Sequence, residues 1–173
     1  MYPQGYAAIM PRIRQYMSLG SVIVVDVGSW TVDAMRLDFG RANAETCRSL
    51  EMGVIRCMNE VLEQVRRRLG LSLTEPQIEQ VIHGRDAGVS EDVLAIVREQ
   101  LARYAQALLS ALIESSFDIR AVPSVFLGGG AFIIKNHNPN PVLIGNAEFL
   151  DDIHINAKGY ELIYEQVMQN AKK

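Results

Sequence analysis

The sequence predicts an α/β domain built on a mixed sheet, and three observations carry that prediction. A β-branched run, SVIVVDV, leads into an alternating stretch, TVDAMRLDF. Long segments of helical spacing follow. An apolar run then returns as VFL and breaks on three consecutive glycines ahead of another helical segment. Strand hairpin, helices, strand, glycine turn and helix, in that order, is an α/β pattern.

Each element has a local cause. Residues 22–25 are short, continuous and β-branched, which suits a central strand buried on both faces. Residues 31–39 alternate, and a two-residue connection at Ser29 and Trp30 makes the pair a hairpin. Residues 40–43 read as a turn and 45–50 as a third strand. Ile55, Met58, Leu62, Val65 and Leu69 step by three and four, so they share one helix face, and Gly70 stops that helix. Thr74-Glu75-Pro76-Gln77 combines an N-cap threonine, a first-turn proline and a capping-box glutamine. Ile78, Val81 and Ile82 are the inner face of the short helix that follows, and Gly84 closes it. Ser90-Glu91-Asp92 caps a long helix whose stripe runs from Leu94 through Val97, Leu101, Tyr104 and Leu108 to Leu112. Residues 122–127 form a strand that tolerates Pro123 only at its start. Residues 128–130 turn, 131–135 begin a helix, 136–141 loop, 142–144 form a brief fifth strand, and 156–168 form the last helix.

Composition narrows the function classes. The chain has 173 residues, 49% apolar and 21% charged, which suits one packed domain or one lobe of a larger protein. A net charge of −3 leaves no basic surplus for a phosphate backbone, so direct nucleic-acid binding is not expected. Arg66, Arg67 and Arg68 fall at a helix end, where they complement the dipole. No apolar run approaches the roughly 20 residues that span a bilayer, and the N-terminal stretch lacks the order of a signal peptide. No membrane partner is expected. Cys47 and Cys57, with the scattered His83, His137 and His154, make no metal-ligand pattern. Buried, reduced thiols and a cytoplasmic location are the expectation.

The chemistry concentrates in two polar turns that follow strands, where open α/β folds place ligands. In the first, Asp26 suits a hydrated Mg²⁺, Gly28 admits close backbone approach, and Ser29 and Thr31 offer donors to phosphate. The same residues also suit a plain hairpin turn. In the second, Gly128, Gly129 and Gly130 let backbone lie flat against a ligand at a helix N-terminus, or simply permit tight strand–helix packing. The spacing is neither that of a Walker loop nor G-x-G-x-x-G. Near the start, Gln4 is either a solvated residue or a neutral amide that orients an attacking water.

Together these stretches resemble one lobe of the actin-like ATPase superfamily, and within it the plasmid-segregation actins of the ParM/StbA type. Asp26-Val27-Gly28-Ser29-Trp30-Thr31-Val32-Asp33 is similar to that family's second phosphate motif, D-[LIV]-G-[GS]-x-T-x-D, with Trp30 where a small or hydroxyl residue is usual. Val125-Phe126-Leu127-Gly128-Gly129-Gly130-Ala131 is similar to its adenosine motif. Pro3-Gln4 falls at its water-positioning step, and Asn156-Ala157-Lys158-Gly159-Tyr160 resembles the step into its closing helix.

The resemblance implies a ribonuclease H-like, mixed five-stranded sheet with flanking helices and a small helical outer subdomain inserted at about 71–90. It implies that residues 1–173 are the second, C-terminal lobe and that the first lobe, with its own aspartate turn, is absent, so that the chain is a fragment or excised domain of a longer protein. The implied parent is a nucleoside triphosphatase that takes Mg²⁺ with ATP or GTP, assembles into filaments and reaches plasmid DNA through an adaptor protein. In that reading Gln4 and Asp26 are catalytic, Asp26 also holds the metal, and Gly28, Ser29, Thr31, Gly128, Gly129 and Gly130 bind the nucleotide. The fragment alone is expected to be inactive. The alternatives are a non-enzymatic assembly or binding module with this fold, and a lobe of a sugar or acetate kinase.

Overall fold

The computed structural model describes residues 4–151 and 155–170. The chain opens with two short helices, α1 (Gln4–Ile9) and α2 (Ile13–Ser18), joined by a 3-10 turn. Three strands follow: β1 (Ser21–Val27), β2 (Val32–Asp38) and β3 (Arg41–Leu50). Helices α3 (Val54–Leu69), α4 (Glu75–Ile82) and α5 (Glu91–Glu114) lead to β4 (Ser124–Leu127), α6 (Ala131–His137), β5 (Ala147–Phe149) and α7 (Ile155–Asn170).

The five strands order as β3-β2-β1-β4-β5. β1, β2 and β3 are antiparallel neighbours, whereas β4 joins β1, and β5 joins β4, in parallel. The expected mixed five-stranded sheet with flanking helices is therefore present. β1 sits at its centre, and this is why its sequence is continuously apolar up to Asp26. Ile23, Val25 and Val27 face α3, α4, α5 and α6, in a cluster with Val61, Leu101, Leu108 and Phe126. Val22 and Val24 face the other way, towards Ile9, Tyr16 and Leu127. Each such side chain, fully removed from water, contributes about 1.5–3 kcal/mol.

Asp26 has the parity of Val22 and Val24, so it points to the α1 side of the sheet. α1 is itself clamped by α7. A Cβ on Gly159 would collide with the Ala7 carbonyl, so the two helices meet backbone to backbone. The glycine in the N-A-K-G-Y step is thus a crossing point.

Helix ends follow the predicted signals. Gly70 takes φ +69° and donates its N–H to the Arg66 carbonyl. The Thr74 N–H donates to Gln77 Oε1 at 3.0 Å, and the Val93 N–H to Ser90 Oγ at 3.4 Å. Three expectations are corrected. Residues 142–144 lie in a 3-10 helix (Pro141–Ile144), because Pro141 fixes the first turn and the Leu143 N–H bonds to the Asn140 carbonyl; the fifth strand is Ala147–Phe149. The third strand starts at Arg41, since Phe39 and Gly40 alone reverse the chain with positive φ. Of the two free thiols, Cys57 is buried but Cys47 is exposed, because β3 is an edge strand.

The segment 71–90 contributes α4, whose Ile78, Val81 and Ile82 belong to the same apolar cluster as the sheet. Among the described residues no helix is long and apolar enough to cross a membrane.

Candidate functional site

β1 and β4 run in parallel, so the turns that follow them emerge at the same edge of the sheet. Asp26 pairs in register with Leu127 on β4 and with Asp33 on β2. A cleft of about 590 Å³ opens there. Asp26, Gly28, Ser29 and Thr31 line it on one side and Gly128, Gly129 and Gly130 on the other. Two turns about 100 residues apart in sequence therefore share one concavity.

The turn after β1 is anchored by its carbonyls. Those of Gly28, Ser29 and Trp30 accept the N–H groups of Val54, Ile55 and Gly53 at 3.0–3.1 Å. These are the amides at the start of α3, otherwise orphaned. In a trans peptide the C=O and the following N–H point in opposite directions. The amides of Ser29, Trp30 and Thr31 must therefore point away from α3. Successive amides facing one way make an anion-binding concavity. The Gly28 N–H does not join them, because it donates to the Thr31 carbonyl at 3.0 Å and closes the hairpin. Gly28 contributes its lack of a side chain, since a Cβ there would sit 3.1 Å from that carbonyl.

Thr31 Oγ1 donates to Asp33 Oδ2 at 3.1 Å. Asp26 is only 7% exposed, whereas Asp33 is exposed and lies opposite it across the hairpin. The register brings two carboxylates to one face of the sheet at the mouth of the cleft. Trp30 caps the turn and is 76% exposed.

The three glycines after β4 differ from one another. Gly128 has φ +85°, and a Cβ on it would lie 2.6 Å from Asp26 Oδ1 and from the Val27 carbonyl oxygen. Its conformation seats Asp26. Gly130 is buried, and a Cβ there would strike Val27 and Val54. Its absence of a side chain packs α6 against the sheet. Gly129 is exposed, and a Cβ there would meet nothing within 4 Å. It is the most exposed of the three, all of which line the cleft.

Gln4 opens α1, but its side chain lies outside the described residues, as do Pro3 and His154. Its neighbour Gly5 is described. A Cβ at Gly5 would be 3.6 Å from Asp26 Cβ, so the start of α1 abuts the aspartate.

Sequence reasoning missed the third wall of the cleft. Val54, Ile55 and Met58 from α3 line it, together with Glu79 and His83 near the end of α4. His83 lies 4.3 Å, centroid to centroid, from the Phe132 ring. The signal was present: Glu79 and His83 are four apart, on the face opposite Ile78 and Val81. What the sequence lacks is any indication that this face turns toward the glycines. Among the described residues no group of three or more His, Cys, Asp or Glu could hold a metal ion by itself.

Known proteins share this fold. Residues 24–138 match the family described as archaeal actin homologue MreB-like, C-terminal. Ta0583, an archaeal actin homologue also solved in complex with ADP, superposes with a TM-score of 0.72 at 19% identity, over 96% of this chain and 56% of that chain. ParM from Bacillus thuringiensis, in its apo form and also solved with ATP, gives 0.61 at 19% identity over 90% and 46%. Apo psk41 ParM gives 0.71 at 16% identity over 98% and 50%. At such identities the likeness is one of fold, and the chain spans about half the length of these structures. No curated protein sequence matches it.

Proposed function

The chain belongs to the family of archaeal MreB-like actin homologues, in their C-terminal region, and on that premise we propose that it is the C-terminal nucleotide-binding lobe of an actin-like ATPase. The observation that carries this reading is the shared cleft, in which the Asp26–Thr31 turn and the Gly128–Gly130 turn face one another.

The donor set fits Mg²⁺ bound with ATP or GTP. A hard cation takes carboxylate oxygen, and Asp26, backed by Asp33, supplies it at the cleft. Bound magnesium would neutralise charge on the phosphoryl oxygens. The amides of Ser29, Trp30 and Thr31 and the Ser29 hydroxyl hold phosphate. Gly129 lets the nucleoside lie against backbone, with Glu79 and His83 flanking it. Gln4, at the head of the helix that abuts Asp26, orients the attacking water.

In the complete two-lobed protein this lobe takes part in nucleotide-dependent filaments in the cytoplasm, which move plasmid DNA through an adaptor rather than by direct DNA contact. The segment 71–90 forms a small outer subdomain and a filament contact. A single D-x-G turn supplies one wall of a phosphate cradle, so the 173 residues alone bind nucleotide weakly and do not turn it over.

Titration of the chain with Mg-ATP and Mg-GTP, followed by amide NMR, tests the reading. The expected result is weak, saturable shifts at 26–31 and 128–130 that vanish in Asp26→Ala. Shifts confined to other segments would overturn it. For the two-lobed protein, nucleotide-dependent light scattering is expected; a soluble phosphorylated product without scattering would favour a kinase instead.

A further inference from the structure

A second concavity, of about 710 Å³, lies on the far side of the end of α4, and its lining shares no residue with the cleft above. It is built from the 84–89 loop, α5 and the last turn of α6. Gly84 and Gly88 take φ +70° and +61° and shape the loop, and Asp86 Oδ1 accepts the Gly88 N–H at 2.8 Å. Two side chains of α6 fasten it to α4. Asn136 Nδ2 donates to the Ile82 carbonyl and His137 Nε2 to that of Val81, both at 2.9 Å. Burial first, and the nearby charge of Arg98 to a lesser extent, hold the His137 pKa below its ordinary value. The ring, held against the Val81 and Ile82 carbonyls, serves as a fixed strut. These walls are cross-braced.

Arg85 and Arg98 line this concavity, and among the described residues neither guanidinium has a hydrogen-bond or ion-pair partner. Lys135 adds a third positive charge, although its Nζ is engaged with Asp151 at 2.8 Å. Val89 and Leu94 give the cavity an apolar patch, and Asp86 and Glu91 stand on the same wall. Guanidinium forks match tetrahedral oxyanions. A volume of this size exceeds a bare phosphate and suits a small organic ligand. The carboxylates would repel a simple polyanion but accept hydrogen bonds from hydroxyl groups.

We propose that this concavity binds a small, hydroxylated phosphate monoester, with its phosphoryl group between Arg85 and Arg98 and its body against Leu94, Asp86 and Glu91. The site is independent of the nucleotide cleft.

The test is an amide NMR and calorimetric titration of the chain at low ionic strength with glucose 6-phosphate, inorganic phosphate and glucose. The proposal expects saturable binding of glucose 6-phosphate, with shifts at 81–98 and 135–137 and not at 26–31 or 128–130. Each of Arg85→Gln and Arg98→Gln is expected to weaken binding about tenfold or more, with thermal stability unchanged because both side chains are exposed. Glucose should not bind, and inorganic phosphate should bind more weakly than the ester. Absence of saturable binding at millimolar concentration, binding that survives the double variant, or equal affinity for inorganic phosphate would each overturn it.

Discussion

Replacing Gly128 by alanine, and separately Gly129 by alanine, distinguishes a glycine that seats Asp26 from one that faces a ligand. At Gly128 the added methyl meets two penalties. Its φ of +85° is one that L residues rarely adopt, at a cost of about 1–2 kcal/mol. Its Cβ would also lie 2.6 Å from Asp26 Oδ1 and from the Val27 carbonyl oxygen, both held in the centre of the sheet. Overpacking of this kind adds about 1–3 kcal/mol. The sum is about 2–5 kcal/mol, which lowers Tm by roughly 5–15 °C for a domain of this size. At Gly129 φ is ordinary and nothing lies within 4 Å, so the stability change should stay within about 0.5 kcal/mol. Gly129→Ala is nonetheless expected to remove the Mg-ATP-dependent amide shifts, because the methyl stands in the cleft. Thermal denaturation of both variants beside wild type is the assay. Equal stability for Gly128→Ala and wild type, or a destabilised Gly129→Ala, would refute the division of labour drawn between them.

Other outcomes follow from the same structure. Gly159→Ala should push α7 off α1, because its methyl has no space beside the Ala7 carbonyl; hydrogen exchange of both helices should accelerate, and unchanged protection would remove Gly159 as the crossing point. Tyr104 donates its hydroxyl to the Met52 carbonyl at 2.6 Å, so Tyr104→Phe strands that acceptor and should cost about 1–2 kcal/mol by urea unfolding. A thiol-labelling reagent at pH 8 should modify exposed Cys47 quickly and Cys57 only on unfolding, because burial pushes the Cys57 thiol up to about 12. The raised value sets the sign of an alkaline effect: the fold favours the protonated thiol, so its contribution is intact below pH 9 and is lost as pH rises from 9 toward about 12. Cys57→Ala should flatten that limb of the stability curve, and an unaltered pH dependence would count against it.

The elements of this chain were readable where they depend on neighbours in sequence. β-Branched continuity marked β1, threefold and fourfold spacing marked α3 and α5, and cap residues marked the ends of α4 and α5. The two polar turns were also legible, since aspartate and glycine after apolar runs have a local meaning. Residues 142–144 misled because three apolar residues suit a strand or a buried turn equally, and Pro141 decided between them.

What the sequence determined by itself is the class of each segment and the residues available for chemistry at its ends. Only the tertiary structure decided which of those groups are free. The parallel pairing of β1 with β4 brings the turns at 28–31 and 128–130 to one cleft. Docking of α3 consumes the carbonyls of Gly28, Ser29 and Trp30 and so aims the amides that follow them, while the hairpin consumes the Gly28 N–H. Contacts with Asp26, Val27 and Val54 assign Gly128 and Gly130 to packing and leave Gly129 open. The physical reason is that a backbone donor has one hydrogen bond to give, and its recipient is set by whichever distant segment folds against it.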